Sequence, residues 1–167
     1  MYPAGTTLKL NLGTFLHYGI ADGSGNVIHN SKKRLMVIKE PEASFAEGKA
    51  IQVSSITSEN PESAVAKAER YLGMPYDLIE NNCEHFARLA HGLEVESTQI
   101  QHYFIAALGA GAAIISDNAV IKAAGGAAAL AALLTPGEKS PFKNAAVAVL
   151  VAAGLVALAK DHEISNK

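Results

Sequence analysis

The residues best suited to covalent chemistry surround Cys83, the one cysteine of this 167-residue chain. Asn81 or Asn82 supplies a favoured helix N-cap. Since Gly92 is a favoured C-cap, we predict a helix from Cys83 to about His91. A helix dipole stabilises an anion in the first turn, and the thiolate is the attacking form of cysteine. The pattern therefore predicts an activated nucleophile, with a small buried core residue as the alternative.

The predicted helix carries its apolar side chains on one face. The residues at the i, i+3, i+4 and i+7 positions are Cys83, Phe86, Ala87 and Ala90. This spacing is typical of a helix that packs on a core. We therefore expect the thiol to face the rest of its domain.

The part of the chain before this helix predicts a small antiparallel sheet. Alternating apolar residues and turn residues indicate a strand at 8–12, a hairpin with arms at 15–21 and 27–29, and further strands at 34–39 and 50–53. The hairpin loop at 22–26 is rich in residues that favour turns. Residues 40–48 are predicted to form a charged loop or a short helix.

Two histidines fall on this hairpin. Pairing of Ala21 with Val27 would fix its register, and His17 and His29 are then diagonal neighbours on one face of the sheet. If the Cys83 helix packs on that face, the thiol and the two imidazoles form a Cys-His-His arrangement suited to nucleophilic attack. For either histidine taken alone, an ordinary strand position is the alternative.

Charge and composition bear on several classes of function. A net charge of −2 gives no basic footprint for nucleic acid. The single cysteine predicts no internal disulfide and suits a reducing, cytoplasmic compartment, and the first residues lack the pattern of a secretory signal. The sequence has no ligand cluster of zinc spacing, so we expect neither a metal nor a cofactor.

A change in composition near residue 102 predicts two parts, 1–102 and 103–167. The first part carries 9 of the 14 basic residues and 12 of the 16 acidic residues. The second holds three apolar runs rich in alanine and glycine, at 103–116, 119–134 and 145–159. Each is shorter than the about 20 residues that span a bilayer. Two structures remain open, membrane association through 103–159, which we favour, and a soluble helical bundle.

These residues resemble the lecithin:retinol acyltransferase family, which includes the HRAS-like suppressor phospholipases and acyltransferases. The resemblance covers roughly residues 3–102 and rests mainly on Asn82-Cys83-Glu84-His85-Phe86. Three further segments occur in the family's order: His17-Tyr18-Gly19-Ile20, Val27-Ile28-His29 and Pro75-Tyr76-Asp77-Leu78. Tyr18 stands where the family usually has tryptophan, and Ala21-Asp22 where it usually has Tyr-Val.

The resemblance implies an α+β fold, with a small antiparallel sheet packed on helices in the permuted papain-like, NlpC-type manner and an apolar helical region after it. It implies Cys83 as the nucleophile, His17 as the general base and His29 as the residue that orients His17. The backbone N–H of Cys83 is the implied oxyanion donor. The implied chemistry is attack on an acyl ester of a glycerophospholipid, forming a thioester that passes its acyl group to water, an amine or an alcohol.

Two other functions remain open. An NlpC-type cysteine peptidase or amidase would use the same three residues on peptide amides. A non-enzymatic membrane-perturbing or tethering protein would depend on residues 103–159, with the first part as a binding module. The expected partners are a phospholipid or other acyl ester and a membrane, and the expected location is cytoplasmic and membrane-associated.

Overall fold

The computed structural model describes residues 1–78 and 82–165. The chain forms two compact units, Met1–Ser97 and Thr98–Lys167. The helix that contains residue 102 begins at Thr98, so the change in composition follows the start of that helix by a few residues. The division at residue 102 itself stays a prediction, and Asn81, one of the two predicted caps, lies outside the described residues.

The first unit is built on a five-stranded antiparallel sheet with the strand order β4-β3-β2-β1-β5. The strands are β1 (Thr7–Asn11), β2 (Leu16–Ala21), β3 (Asn26–Ser31), β4 (Met36–Pro41) and β5 (Gln52–Val53). The helices of this unit are α1 (Glu42–Ala46), α2 (Glu62–Arg70) and α3 (Cys83–His91). Together with the apolar helices that follow, this architecture confirms the predicted α+β class.

The hairpin of β2 and β3 has the predicted register, in which Ala21 pairs with Val27. The Asp22 carboxylate holds its loop, accepting the backbone N–H of Ser24 at 2.7 Å and that of Asn26 at 3.0 Å. An aspartate that bonds to the backbone two residues on is a recurrent way to close a turn. The chemistry of this short loop therefore sets which residues of β2 and β3 share a face.

The two faces of the sheet pack against different helices. Helices α2 and α3 cover one face, and α1 covers the other. The buried side chains on the α3 face include Tyr18, Ile20 and Ile28 from the strands and Phe86, Ala87 and Ala90 from α3. The buried apolar side chains on the α1 face include Leu8, Leu10, Ala21, Val27 and Phe45. The sheet thus separates two apolar cores.

The second unit consists of three apolar helices, α4 (Thr98–Ile115), α5 (Ala119–Leu134) and α6 (Phe142–Ser165). Helices α4 and α5 pack closely at Gly109 and Gly125. A Cβ atom built on Gly109 would lie 2.5 Å from the Gly125 carbonyl oxygen, and one on Gly125 would lie 2.6 Å from the Gly109 oxygen. Only glycine allows the two backbones to approach so closely.

Helix α6 has the length and composition to cross a bilayer, and within the described residues it is the one helix that does. Its segment Phe142–Ala159 has 18 residues, a mean hydropathy of 2.0 and only 6 % of its residues buried. At about 1.5 Å per residue this segment spans about 27 Å, close to the about 30 Å of a hydrocarbon core. The expectation that every apolar run is too short is wrong for α6, because the helix begins before residue 145.

Candidate functional site

Cys83 is the first residue of α3, and Asn82 caps the helix. The Asn82 Oδ1 atom accepts the N–H groups of Glu84 at 2.9 Å and His85 at 3.1 Å. Its Nδ2 donates to the Leu78 carbonyl at 2.9 Å. The sequence prediction of the helix start is confirmed, and the thiol lies in the turn where the helix dipole favours negative charge.

The remainder of α3 also follows the sequence. The helix ends at His91, and Gly92 closes it with a φ of 69°. Glu84 is fully buried; its carboxylate accepts a hydrogen bond from Ser97 Oγ at 3.1 Å and pairs with the Arg88 guanidinium at 3.4 Å. These contacts hold α3 in a fixed position against the segment that follows it.

The two predicted histidines meet on the α1 face of the sheet. The Nε2 atom of His17 lies 2.8 Å from Nδ1 of His29, and the ring centroids are 5.0 Å apart. Phe45 of α1 packs against both rings, with centroid distances of 5.4 Å to His17 and 5.1 Å to His29. The prediction that the imidazoles share one face is confirmed.

Glu40 extends this pair to a third strand. Its Oε1 lies 2.9 Å from Nε2 of His29. The register of β4 sets Glu40 opposite Val27, on the face that carries His29. Sequence reasoning missed Glu40 because it ended the strand at residue 39. Extending the predicted strand by one residue would have placed the carboxylate on the imidazole face.

The thiol and the imidazoles lie on opposite faces of the sheet. Cys83 shares a buried core with Tyr18, which strand alternation turns away from the face of its neighbour His17. Within the described residues the thiol hydrogen-bonds to the Leu16 carbonyl, with an S···O distance of 3.7 Å. The prediction that α3 packs on the imidazole face is therefore wrong. The apolar side of α3 packs instead on the large apolar side chains of the opposite face, and Phe45 covers the histidines.

Burial dominates the electrostatics of the sulfur. It raises the pKa of Cys83 to about 11, and the buried Glu84 carboxylate adds to this rise. The N–H groups of Tyr18, Cys83 and Glu84 oppose the shift without reversing it. The expectation of a thiolate stabilised by the helix dipole and an imidazole is therefore wrong for the resting site. The dipole effect is partial, whereas desolvation of an anion is costly.

Burial also keeps the imidazoles neutral. It lowers the pKa of His17 to about 3, with the neighbouring His29 as a second cause, and lowers the pKa of His29 to about 4. The Glu47 carboxylate opposes both shifts. Near pH 7 the thiol and both imidazoles of the resting protein are therefore neutral. A general base must be neutral to accept a proton.

A cavity of about 390 Å³ opens on the imidazole face. Its lining includes Leu10, Leu12, His17, His29, Ser31, Lys32, Lys33 and Phe45. Most of the lining is apolar, and its lysine and acidic side chains are Lys32, Lys33 and Glu47. Among the described residues, no group of three or more histidine, cysteine and acidic side chains could hold a metal ion.

The fold and the site define a class of protein. It is an α+β domain in which a cysteine lies in the capped first turn of a helix, and that helix packs on a sheet that carries two hydrogen-bonded histidines. The family profile described as lecithin retinol acyltransferase matches residues 2–95. Because the match covers more than half of the chain, this protein belongs to the lecithin retinol acyltransferase family, whose members are typically acyltransferases. A comparison with curated protein sequences gives no match.

Proposed function

We propose that this protein is a thiol-dependent acyltransferase or phospholipase A-type hydrolase that acts on acyl esters of glycerophospholipids through a thioester on Cys83. One observation carries the proposal. Cys83 lies in the capped first turn of α3, against the backbone of the strand that carries His17, in a chain of an acyltransferase family. In this proposal His17 is the general base and His29 orients it.

The strand β2 brings the sulfur near His17 although their side chains lie on different faces. Leu16 and Tyr18 flank His17; the first accepts the thiol hydrogen bond, and the N–H of the second lowers the thiol pKa. Within the described residues, the ladder between β2 and β3 covers β2 only from Ile20 onward, so His17 is paired with β1 but not with β3. In this proposal, Sγ leaves the Leu16 carbonyl and reaches Nδ1 of His17 when substrate is bound. Such catalytic hydrogen bonds often form only when substrate binds.

The proposed reaction has two acyl-transfer steps. Nδ1 of His17 takes the thiol proton as Sγ attacks the ester carbonyl, and the backbone N–H of Cys83 stabilises the oxyanion. The ester C–O bond then breaks, and the imidazolium gives its proton to the leaving lysophospholipid. Water, an amine or an alcohol attacks the thioester next, with His17 accepting its proton, and the Cys83 thiol is regenerated.

The test is direct detection of the acyl-enzyme. The full chain is incubated with vesicles of a defined phosphatidylcholine, and its intact mass is measured over time. We expect a mass increase of one acyl group that hydroxylamine removes and that peptide mapping assigns to Cys83. Absence of the adduct, together with equal release of fatty acid by the wild-type protein and Cys83→Ala, would exclude the proposal.

Two matched variants separate the roles of the residues. Cys83→Ser keeps the geometry but weakens the nucleophile, and it should form no hydroxylamine-sensitive thioester. His17→Gln should slow thioester formation by about 10²- to 10⁴-fold, the usual contribution of a general base. Peptide amides are the comparison substrates, because cleavage of amides without action on lipids would select the cysteine peptidase or amidase function.

The apolar surface of α6 favours a second candidate, a non-enzymatic membrane-perturbing or tethering function. Large apolar side chains such as Leu150 and Leu155 are 73 % and 62 % exposed. Leakage of dye from vesicles that is equal for the wild-type protein and Cys83→Ala, without any acyl-enzyme, would select this function over the enzymatic one.

A further inference from the structure

We propose that Glu40 is a positioning residue that fixes the tautomers of His29 and His17, leaving Nδ1 of His17 unprotonated. That Nδ1 of His17 then serves as the general base rests on the proposed function. The tautomers themselves can be measured whether or not the protein has that activity.

The three side chains form a continuous chain of hydrogen bonds across three strands. Glu40 Oε1 lies 2.9 Å from His29 Nε2, and His29 Nδ1 lies 2.8 Å from His17 Nε2. The His29 side chain is 5 % exposed and that of Glu40 27 %. The hydrogen bonds therefore run from a partly exposed carboxylate, through a buried imidazole, to the His17 ring.

The chemistry of the groups sets the direction of every hydrogen bond. An ionised carboxylate only accepts, so Nε2 of His29 must carry the proton that it donates to Glu40. A neutral imidazole has one N–H, so Nδ1 of His29 is then an acceptor. Nε2 of His17 must donate to it, and the lone pair of a neutral His17 ring is therefore on Nδ1. The hydrogen bond that one ring nitrogen makes determines the state of the other.

Burial favours the neutral forms of both imidazoles, on which these hydrogen-bond directions depend. His29 is 4 % exposed, and a positive charge on its ring would be poorly solvated. The Glu47 carboxylate affects the pKa of both rings, but its Oε1 is 2.7 Å from Lys33 Nζ. It acts on the histidines through charge, whereas Glu40 makes a hydrogen bond to His29.

The experiment measures the ring nitrogens directly. The full chain is labelled with ¹⁵N-histidine, and multiple-bond ¹H–¹⁵N correlation spectra are recorded at pH 7, with His17→Gln and His29→Gln used for assignment. We expect both rings to carry the proton on Nε2 and to show an unprotonated Nδ1. A His17 ring protonated on Nδ1, or a His29 ring protonated on both nitrogens, would overturn the proposal.

Glu40→Gln tests whether Glu40 is the cause. A glutamine side chain is isosteric and can donate as well as accept, so we expect the wild-type tautomer preference to be lost while the thermal unfolding temperature changes little. Glu47→Gln is the control that removes a nearby charge without removing the hydrogen bond, and it should keep the wild-type tautomers. Unchanged tautomers in Glu40→Gln would overturn the proposal.

A kinetic comparison links the tautomer to the proposed reaction. Glu40→Gln should slow thioester formation by about tenfold or more, the scale at which loss of an orienting partner acts on a functional histidine, without weakening binding of the lipid. If the wild-type protein forms the thioester and Glu40→Gln forms it equally fast, the role of Glu40 is excluded. If the wild-type protein forms none, the proposed function fails, and the tautomer result is judged on its own.

Discussion

At the scale of single residues, Cys83 shows a competition between burial and the helix dipole. The dipole and three nearby N–H groups favour the thiolate, but the sulfur is only 9 % exposed and burial raises its pKa to about 11. A thiol of this kind reacts slowly in the resting protein. In the proposed reaction, proton transfer therefore accompanies attack on a bound ester.

The pH dependence of alkylation tests this balance. Only the thiolate reacts, and its fraction rises about tenfold per pH unit below the pKa. For Cys83 we expect the rate with iodoacetamide, measured by mass spectrometry, to rise at this slope from pH 7 to about pH 10. The same chain unfolded in urea is the control, and its rate should level off near pH 8.5–9, where a free cysteine ionises. A folded-state rate that is constant from pH 6 upward would instead indicate a thiolate–imidazolium pair.

At the scale of elements, helices α4 and α5 can pack closely because two facing positions are glycine. Gly109 and Gly125 face each other, and each backbone occupies the space that the other's Cβ would need. Gly111 lies two residues after Gly109 on α4. A Cβ atom built on it would meet no neighbouring atom within 4 Å. The same residue type therefore has a packing role at two positions and none at the third.

Alanine substitutions at these glycines should have opposite effects on stability. Gly109→Ala and Gly125→Ala force two backbones apart, and overpacking of this kind costs about 1–3 kcal/mol. Gly111→Ala is the matched control and should stabilise α4 by up to about 1 kcal/mol, because alanine has the higher helix propensity. Thermal unfolding of the full chain followed by circular dichroism measures all three. Equal shifts for the three variants would contradict the close packing at Gly109 and Gly125.

At the scale of the whole molecule, the two units differ in how they bury apolar residues. Met1–Ser97 encloses two cores on the two faces of its sheet, whereas α6 leaves most of its apolar surface exposed. Exposed apolar surface of this extent is typical of a segment that contacts a partner or a membrane. An anchored catalytic unit would meet phospholipid at the membrane surface, which fits the proposed substrate.

Vesicle flotation tests the proposed membrane contact. The full chain should float with phosphatidylcholine vesicles, and Leu150→Asp combined with Leu155→Asp should abolish flotation, because a charge within the hydrocarbon core costs about 2.5–3.5 kcal/mol on insertion scales. The matched control carries the same change at two exposed leucines of the first unit, Leu35 and Leu72. Flotation that is lost equally in the control, or kept in both variants, would exclude contact through α6.

Features set by residues close in sequence could be predicted without the structure. The Asn82 cap and the Gly92 end of α3 depend on single residues at helix termini. The His17–His29 pair follows from a short hairpin whose loop fixes the register. The resemblance to the lecithin retinol acyltransferase family could also be found from such local strings, and the family match over residues 2–95 confirms it.

Only the tertiary structure decided which face of the sheet α3 covers. Alternation along β2 shows that Tyr18 and His17 point in opposite directions, but the sequence does not say which of these faces the helix packs on. That choice depends on apolar area summed over several elements, with α3 joining Tyr18 and α1 bringing Phe45 to the histidines. The same packing decided the protonation state of Cys83, because desolvation depends on every atom around the sulfur and the helix dipole only on α3.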